Sequence, residues 1–171
     1  MPLSHLARIM SRASDYARLI IVRMPDQPTG KTKHTELTLD EIASMQPGLG
    51  RLMPEVSQRY HIAYYAARGG NWRLAAYQLR ELGGLLRLGA ATRPKYGPQL
   101  TAFEKVHLSA LLEAVAQRDF PTFERAFGRA TEVANIYHQA TDHAEIIWRL
   151  PPNPPDHLDL GPQPEPDAEP S

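Results

Sequence analysis

The chain of 171 residues is 42% apolar and 22% charged, a composition that is typical of a globular protein and excludes a fibrous or wholly disordered one. Its 19 basic and 19 acidic side chains cancel, so no net positive charge is available to attract a phosphate backbone. We therefore expect no nucleic-acid partner.

The N-terminal stretch is predicted to be an amphipathic element. Apolar side chains from Leu6 to Met24 recur at three- and four-residue spacing, which favours a helix, although Leu19–Val22 fits a strand equally well. We expect this element to dock on the domain or on a second subunit, with binding to a membrane surface as the alternative. Its apolar run is far shorter than the roughly 20 residues of a membrane span, and arginines interrupt it. We predict no membrane span and a cytoplasmic location.

A linker is predicted at residues 25–38, which contain two prolines, a glycine and many polar side chains. The run TGKTK at Thr29–Lys33 lacks the upstream glycine of a P-loop, so we interpret it as a basic connector. The expected organisation is therefore an N-terminal element and linker at 1–38, a helical domain at 39–150, and a tail at 151–171.

The first helix of the domain is expected to begin after Thr38. Its hydroxyl can cap the helix, and Glu41 is placed to complete a capping box. Pro47 and Gly48 interrupt the pattern, which continues to Ala67 and ends before two glycines.

Three further helices are indicated by apolar periodicity and by their end signals. Asn71 is the expected N-cap of the second helix, which stops before Pro94, and the third runs from Pro98 to Arg118. Pro121 suits the first turn of the fourth helix. Because the connections are short, neighbouring helices should be antiparallel, which predicts an all-α, up-down-up-down four-helix bundle. The predicted inner faces of the third and fourth helices are Leu100, Phe103, Val106, Leu111 and Val115, and Phe123, Phe127, Ala130, Ala134 and Tyr137.

The tail from Pro151 reads PPNPPDHLDLGPQPEPDAEPS. Frequent proline, few large apolar side chains and only acidic charge predict an extended and partly disordered segment without a core of its own. Such a proline-rich segment can lie against another subunit or in a recognition groove.

Two stretches resemble a known family. RYHIAYYAARGGNWRLAAYQLREL and FERAFGRATEVANIYHQATDHAEIIWRLPPNPP are similar to small bacterial cytochrome c′-like four-helix proteins, whose fourth helix ends in CNACHQAT. The resemblance covers about residues 47–155 and is most specific at Gly70-Asn71-Trp72 and at His138-Gln139-Ala140-Thr141. It implies a haem held by two cysteine thioethers and one histidine, and pairing of two copies through their first helices.

Of the two cysteines and one histidine that hold haem in that family, this chain keeps only the histidine, as His138. Ala134 and Tyr137 stand where the family has its cysteines, and the whole chain contains no cysteine. Thioether attachment needs thiols. A covalent c-type haem is therefore chemically impossible in this chain.

Two functions stay open. In the first, the bundle binds haem or another flat apolar ligand noncovalently, with His138 as iron ligand and with Tyr64 and Arg59 as distal or propionate contacts. In the second, Tyr137 and the tyrosines of the first helix fill the space, leaving a cofactor-free interaction or structural module that acts through a partner or as a homodimer. We assign no catalytic residue, since redox chemistry would require bound haem. The candidate site residues are Arg59, Tyr60, Tyr64, Tyr65, Ala134, Tyr137 and His138.

Other metal arrangements have weaker support. Glu104 and His107 have the E-x-x-H spacing of di-iron bundles, but no second such pair exists, so we expect both to be exposed. His138, His143 and Asp142 could share a metal only if the helix ends between the histidines, because five residues rotate the side chain by about 140°.

Overall fold

The computed structural model describes residues 29–164, which are mostly helical with one small sheet. The chain divides into two compact units between Gln46 and Pro47. The amphipathic element predicted from Leu6 to Met24 lies outside the described residues, as does the chain beyond Pro164. Within the described part, no helix combines the length and the apolar character needed to cross a membrane.

The first unit contains a short hairpin and a short helix. Strand β1 (Thr29–Lys31) pairs antiparallel with β2 (Glu36–Thr38), so a hairpin stands where we predicted a flexible linker. Strands of three residues are too short to show an alternating pattern, which is why the sequence did not reveal them. Helix α1 (Leu39–Ser44) then begins with the predicted capping box: Glu41 N–H donates to Thr38 Oγ1 over 3.2 Å, and Thr38 N–H donates to Glu41 Oε2 over 2.7 Å. The division between the two units follows α1.

The second unit is built on two long helices that pack along each other, α2 (Leu49–Arg68) and α3 (Trp72–Thr92). The turn between them contains Gly70, which has a positive φ of 85° that glycine adopts without strain. The predicted N-cap is confirmed, because Asn71 Oδ1 accepts a hydrogen bond from Leu74 N–H at 3.1 Å.

The third helical stretch changes its winding midway. A 3₁₀ turn (Pro94–Tyr96) leads into α4 (Gly97–Ala102), a π-helical segment (Phe103–Leu108) and α5 (Ser109–Ala116). Our placement of Val106 on the inner face is wrong: its side chain is 60% exposed, whereas Leu108 is 2% exposed. A π-helix bonds residue i to i+5, so the segment shifts the inner face by about one residue.

Helix α6 (Phe120–Ala140) completes the core. Its start agrees with the sequence, because Pro121 lies in the first turn and Asp119 Oδ1 accepts Thr122 N–H at 3.1 Å. Phe123 and Phe127 are buried, and they pack with Leu79, Leu82 and Leu111 from the other helices.

The chain after α6 has no regular secondary structure up to Pro164, but it is not detached from the domain. We call residues 143–162 the C-terminal strap. Its path follows α2: Tyr65 OH donates to the carbonyls of Pro151 and Pro152 at 2.9 Å, and Leu160 packs against the core. A Cβ at Gly69 would collide with the backbone oxygen of Leu160, so the strap passes very close to this glycine. The described part of the predicted tail is therefore bound to the helices, because α2 supplies donors to its carbonyls.

Candidate functional site

A cavity of about 720 Å³ opens at one end of the second unit. It lies between the first half of α2, the end of α3, α4 with the π-helical segment, the end of α6, and the first part of the strap. This volume is within the range of about 300–1,000 Å³ that is usual for small-molecule sites. Its wall is mainly apolar and includes Met53, Val56, Leu82, Leu86, Leu100, Phe103, Ile146 and Trp148.

His138 lines this cavity from the last turn of α6. Its Nδ1 lies 3.0 Å from the backbone carbonyl oxygen of Ile146. Because a carbonyl only accepts hydrogen bonds, Nδ1 must donate, which leaves the lone pair of the neutral ring on Nε2. No described residue bonds to Nε2. Metal-binding histidines are commonly oriented by this kind of bond from the second ring nitrogen.

The carbonyl that orients His138 is held by the strap. Asn135 binds the backbone of Trp148 twice: its Oδ1 accepts Trp148 N–H at 2.8 Å, and its Nδ2 donates to Trp148 O at 3.1 Å. The indole Nε1 of Trp148 also donates to Ser57 Oγ on α2 at 2.5 Å. These bonds fix the start of the strap against α6 and α2, and Ile146 lies two residues before the fixed tryptophan.

Tyr60 forms the inner boundary of the cavity. Its ring stacks on Phe127 at a centroid distance of 4.0 Å and meets the Trp148 ring edge-on at 4.9 Å. The hydroxyl donates to Phe127 O at 2.9 Å. Burial raises the pKa of the Tyr60 phenol well above its usual value, so this residue stays neutral and acts as a packed wall.

Ala134 and Tyr137 lie on the cavity wall beside His138, so the structure brings together the three positions of the A-x-x-Y-H stretch. This follows from helical periodicity, because residues i, i+3 and i+4 share a face. Tyr137 is half-buried and lines the cavity without closing it.

Three predicted site residues lie outside the cavity wall. Tyr64 OH donates to Glu124 at 2.7 Å, and burial and the Glu124 carboxylate together raise the pKa of this phenol to about 12. Tyr65 binds the strap, as described above. Arg59 donates to the Glu55 carboxylate at 2.7 Å and to the Gln78 amide at 3.1 Å. Helix α2 lines the cavity only as far as Tyr60, and Tyr64 and Tyr65 lie beyond that point. Arg59 is rotated about the helix axis by about 100° from Tyr60.

Arg93 and Gln99, which sequence analysis did not single out, also line the cavity. Arg93 ends α3, and the carboxamide of Gln99 lies on α4. Gln99 Oε1 is buried and has no hydrogen-bond partner within residues 29–164, which leaves unmet hydrogen-bonding capacity beside the cavity. Neither residue belongs to a recognisable motif, so only the fold reveals their position.

The other metal arrangements do not assemble. Glu104 pairs with Arg87 from α3, and the His107 ring lies 5.5 Å from that of Phe103. His143 lines the cavity, but its Nδ1 lies 3.3 Å from Glu145 Oε1. In the described part of the chain, no group of three or more histidine, aspartate or glutamate side chains is placed to hold a metal ion.

No protein-family model, no curated protein and no solved structure matches this chain. The resemblance to cytochrome c′-like proteins therefore stays a prediction.

Proposed function

We propose that this protein binds haem, or a flat apolar ligand of similar size, noncovalently in the cavity beside His138. The observation that supports this most directly is the bond from His138 Nδ1 to Ile146 O, because it leaves the Nε2 of a residue on the cavity wall without a partner among the described residues. When bound, haem would supply one-electron or gas-binding chemistry at its iron. The chain itself would supply one imidazole and a mainly apolar enclosure.

The same proposal includes the up-down-up-down order of the helices and the relationship to cytochrome c′-like proteins. Its support is the packing of α2 with α3 and of α5 with α6, together with the placement of Ala134, Tyr137 and His138 on one wall. A cytoplasmic location, expected from the interrupted N-terminal apolar stretch, belongs to the proposal as well. We propose no enzymatic reaction.

An absorption titration with haemin tests the assignment of His138. Haemin added to the purified full-length chain should give a Soret band that saturates at one equivalent, and His138→Ala should weaken binding and change the spectrum. His34→Ala is the matched control, because His34 is exposed, lies in the first unit and does not line the cavity. Identical titrations of His138→Ala and the unsubstituted protein would refute iron ligation by His138.

The type of attachment can be checked on the same sample. Since the chain has no thiol, all haem should leave the protein in acidified organic solvent, and none should remain on the denatured chain. Haem that stays with the polypeptide after denaturation would overturn the noncovalent assignment.

A second candidate function is a cofactor-free module that pairs with another copy of itself. The observation that favours it is the exposure of three isoleucines near the end of α6, with Ile136 at 57%, Ile146 at 47% and Ile147 at 61%. Sedimentation velocity should then show a concentration-dependent dimer that Ile147→Glu weakens. A protein that stays monomeric at all concentrations would eliminate this candidate.

A further inference from the structure

Arg93 lies on the wall of the cavity without a carboxylate partner. Its Nη1 donates to the carbonyl of Thr92 at 2.6 Å, and no described aspartate or glutamate pairs with it. Arg59 and Arg87, in contrast, are both paired with glutamates. The side chain of Arg93 is exposed, so it occupies the mouth of the cavity rather than its interior. Its remaining guanidinium donors are available to a ligand.

Among the described residues that line the cavity, Arg93 is the one that carries a permanent charge. Arg93, His138 and His143 are the ionisable nitrogen groups on the wall, and no aspartate or glutamate among the described residues lines it. Glu145 does not line the cavity, and its carboxylate pairs with the ring of His143. Lys95 adds a further cation near the mouth, with its Nζ 5.3 Å from the centroid of the Tyr96 ring. A ligand with a negative end therefore meets a permanent complementary charge when that end lies beside Arg93.

The start of α2 adds to this preference. The guanidinium of Arg93 lies close to Gly48, where a Cβ would be 3.0 Å from Nη2. Gly48 begins α2 without a side-chain cap, and it lines the cavity together with Leu49 and Gly50. The N-terminal end of a 20-residue helix carries partial positive charge, which reinforces the charge of Arg93.

We propose that Arg93 is a specificity residue that selects ligands carrying a carboxylate at the edge which faces the cavity mouth. The ligand is then a flat apolar molecule with one acidic edge, rather than a wholly apolar one. This inference rests on the proposed ligand-binding function of the cavity, but it does not depend on iron. Guanidinium–carboxylate pairs are strong and directional, so the preference is set by the pair and not by the apolar wall.

A comparison of two metal-free porphyrins tests the inference. Protoporphyrin IX has two carboxylates, and its dimethyl ester has the same ring without them. Titrations followed by porphyrin fluorescence should show that the full-length chain binds the acid about three- to tenfold more tightly than the ester. Added salt should reduce this ratio, because the pair is at the surface.

The substitution Arg93→Gln should remove the preference by weakening the acid and leaving the ester unchanged. Arg93→Lys should keep part of it, because the charge remains. The control is Arg129→Gln, which removes the same charge from an exposed position on α6 that does not line the cavity. It should behave as the unsubstituted protein.

The outcomes separate this inference from the haem proposal. Equal weakening of acid and ester by Arg93→Gln, no preference in the unsubstituted protein, or no binding of either porphyrin would each overturn the inference. If the acid preference holds while haemin binding ignores His138→Ala, iron ligation by His138 fails and the role of Arg93 stands.

Discussion

Removing the Asn135 carboxamide should detach the start of the strap. The side chain makes two hydrogen bonds to the Trp148 backbone, at 2.8 and 3.1 Å. Each such bond contributes on the order of 1 kcal/mol to stability. The N–H and C=O of Trp148 would lose their partners at a position that water reaches only partly, which adds a further cost. We therefore expect Asn135→Ala to lower the free energy of unfolding by about 2 kcal/mol.

Urea unfolding of the full-length chain at neutral pH, followed by far-UV circular dichroism, measures this change. The control is Gln139→Ala, because Gln139 is exposed on the same helix and no described hydrogen bond uses its side chain. It should change stability by no more than about 0.5 kcal/mol. Tryptophan fluorescence of native Asn135→Ala should shift to the red, since Trp148 is half-buried against Tyr60 and Phe127 in the intact strap.

Haemin affinity provides a second, independent readout of the same substitution. The Ile146 carbonyl accepts from His138 and lies two residues before Trp148, so a loosened strap no longer orients the imidazole. Asn135→Ala should therefore also weaken haemin binding. If its stability and its tryptophan emission equal those of Gln139→Ala, the strap is not held by Asn135 and this reasoning is refuted.

Three other substitutions have defined outcomes. Leu79→Ala deletes a side chain that is 0% exposed, and thermal or urea unfolding should show a loss of about 3 kcal/mol, whereas a loss below 1 kcal/mol would contradict the described core. The pKa of Tyr64 is raised to about 12, so its contribution to stability is complete below the unfolded-state pKa of about 10 and is lost as pH rises through 12. The free energy of unfolding of Tyr64→Phe should therefore fall less steeply with pH over that range than that of the unsubstituted protein. An unchanged pH profile would contradict this. The double substitution Ala134→Cys/Tyr137→Cys should yield haem that remains on the denatured chain when cells supply c-type maturation, and its absence there would contradict the shared wall.

Local signals predicted where three of the helices begin. The hydroxyl of Thr38, the carboxamide of Asn71 and the ring of Pro121 all occupy the helix-start positions expected from sequence. These positions were predictable because a cap bonds to backbone groups two or three residues away, so its chemistry is contained in a short stretch of chain. The placement of Ala134, Tyr137 and His138 on one wall followed from helical periodicity for the same reason.

Features that depend on contacts between distant residues were not predictable in this way. The π-helical segment exposes Val106 and buries Leu108. This shift of the buried face along the helix has no signature in the residue types of the segment. The site was predicted only in part. Whether Arg59, Tyr64 and Tyr65 line the cavity depends on which part of α2 faces it, and the sequence does not show that. Arg93 and Gln99 were missed because their role arises only where α3 and α4 meet the start of α2.

The proline-rich strap explains why some of the aromatic side chains of α2 do not line the cavity. Proline lacks an N–H, so a proline-rich segment cannot satisfy its carbonyls by pairing with itself and needs donors from elsewhere. Tyr65 supplies one to Pro151 and Pro152, and His61 supplies another, with its Nε2 3.0 Å from Asn153 O. A donating Nε2 on His61 is the opposite tautomer to the one that Ile146 imposes on His138. Tyr65 and His61 thus hold the strap. Because Tyr64 donates to Glu124, Tyr60 is left as the tyrosine of α2 that lines the cavity.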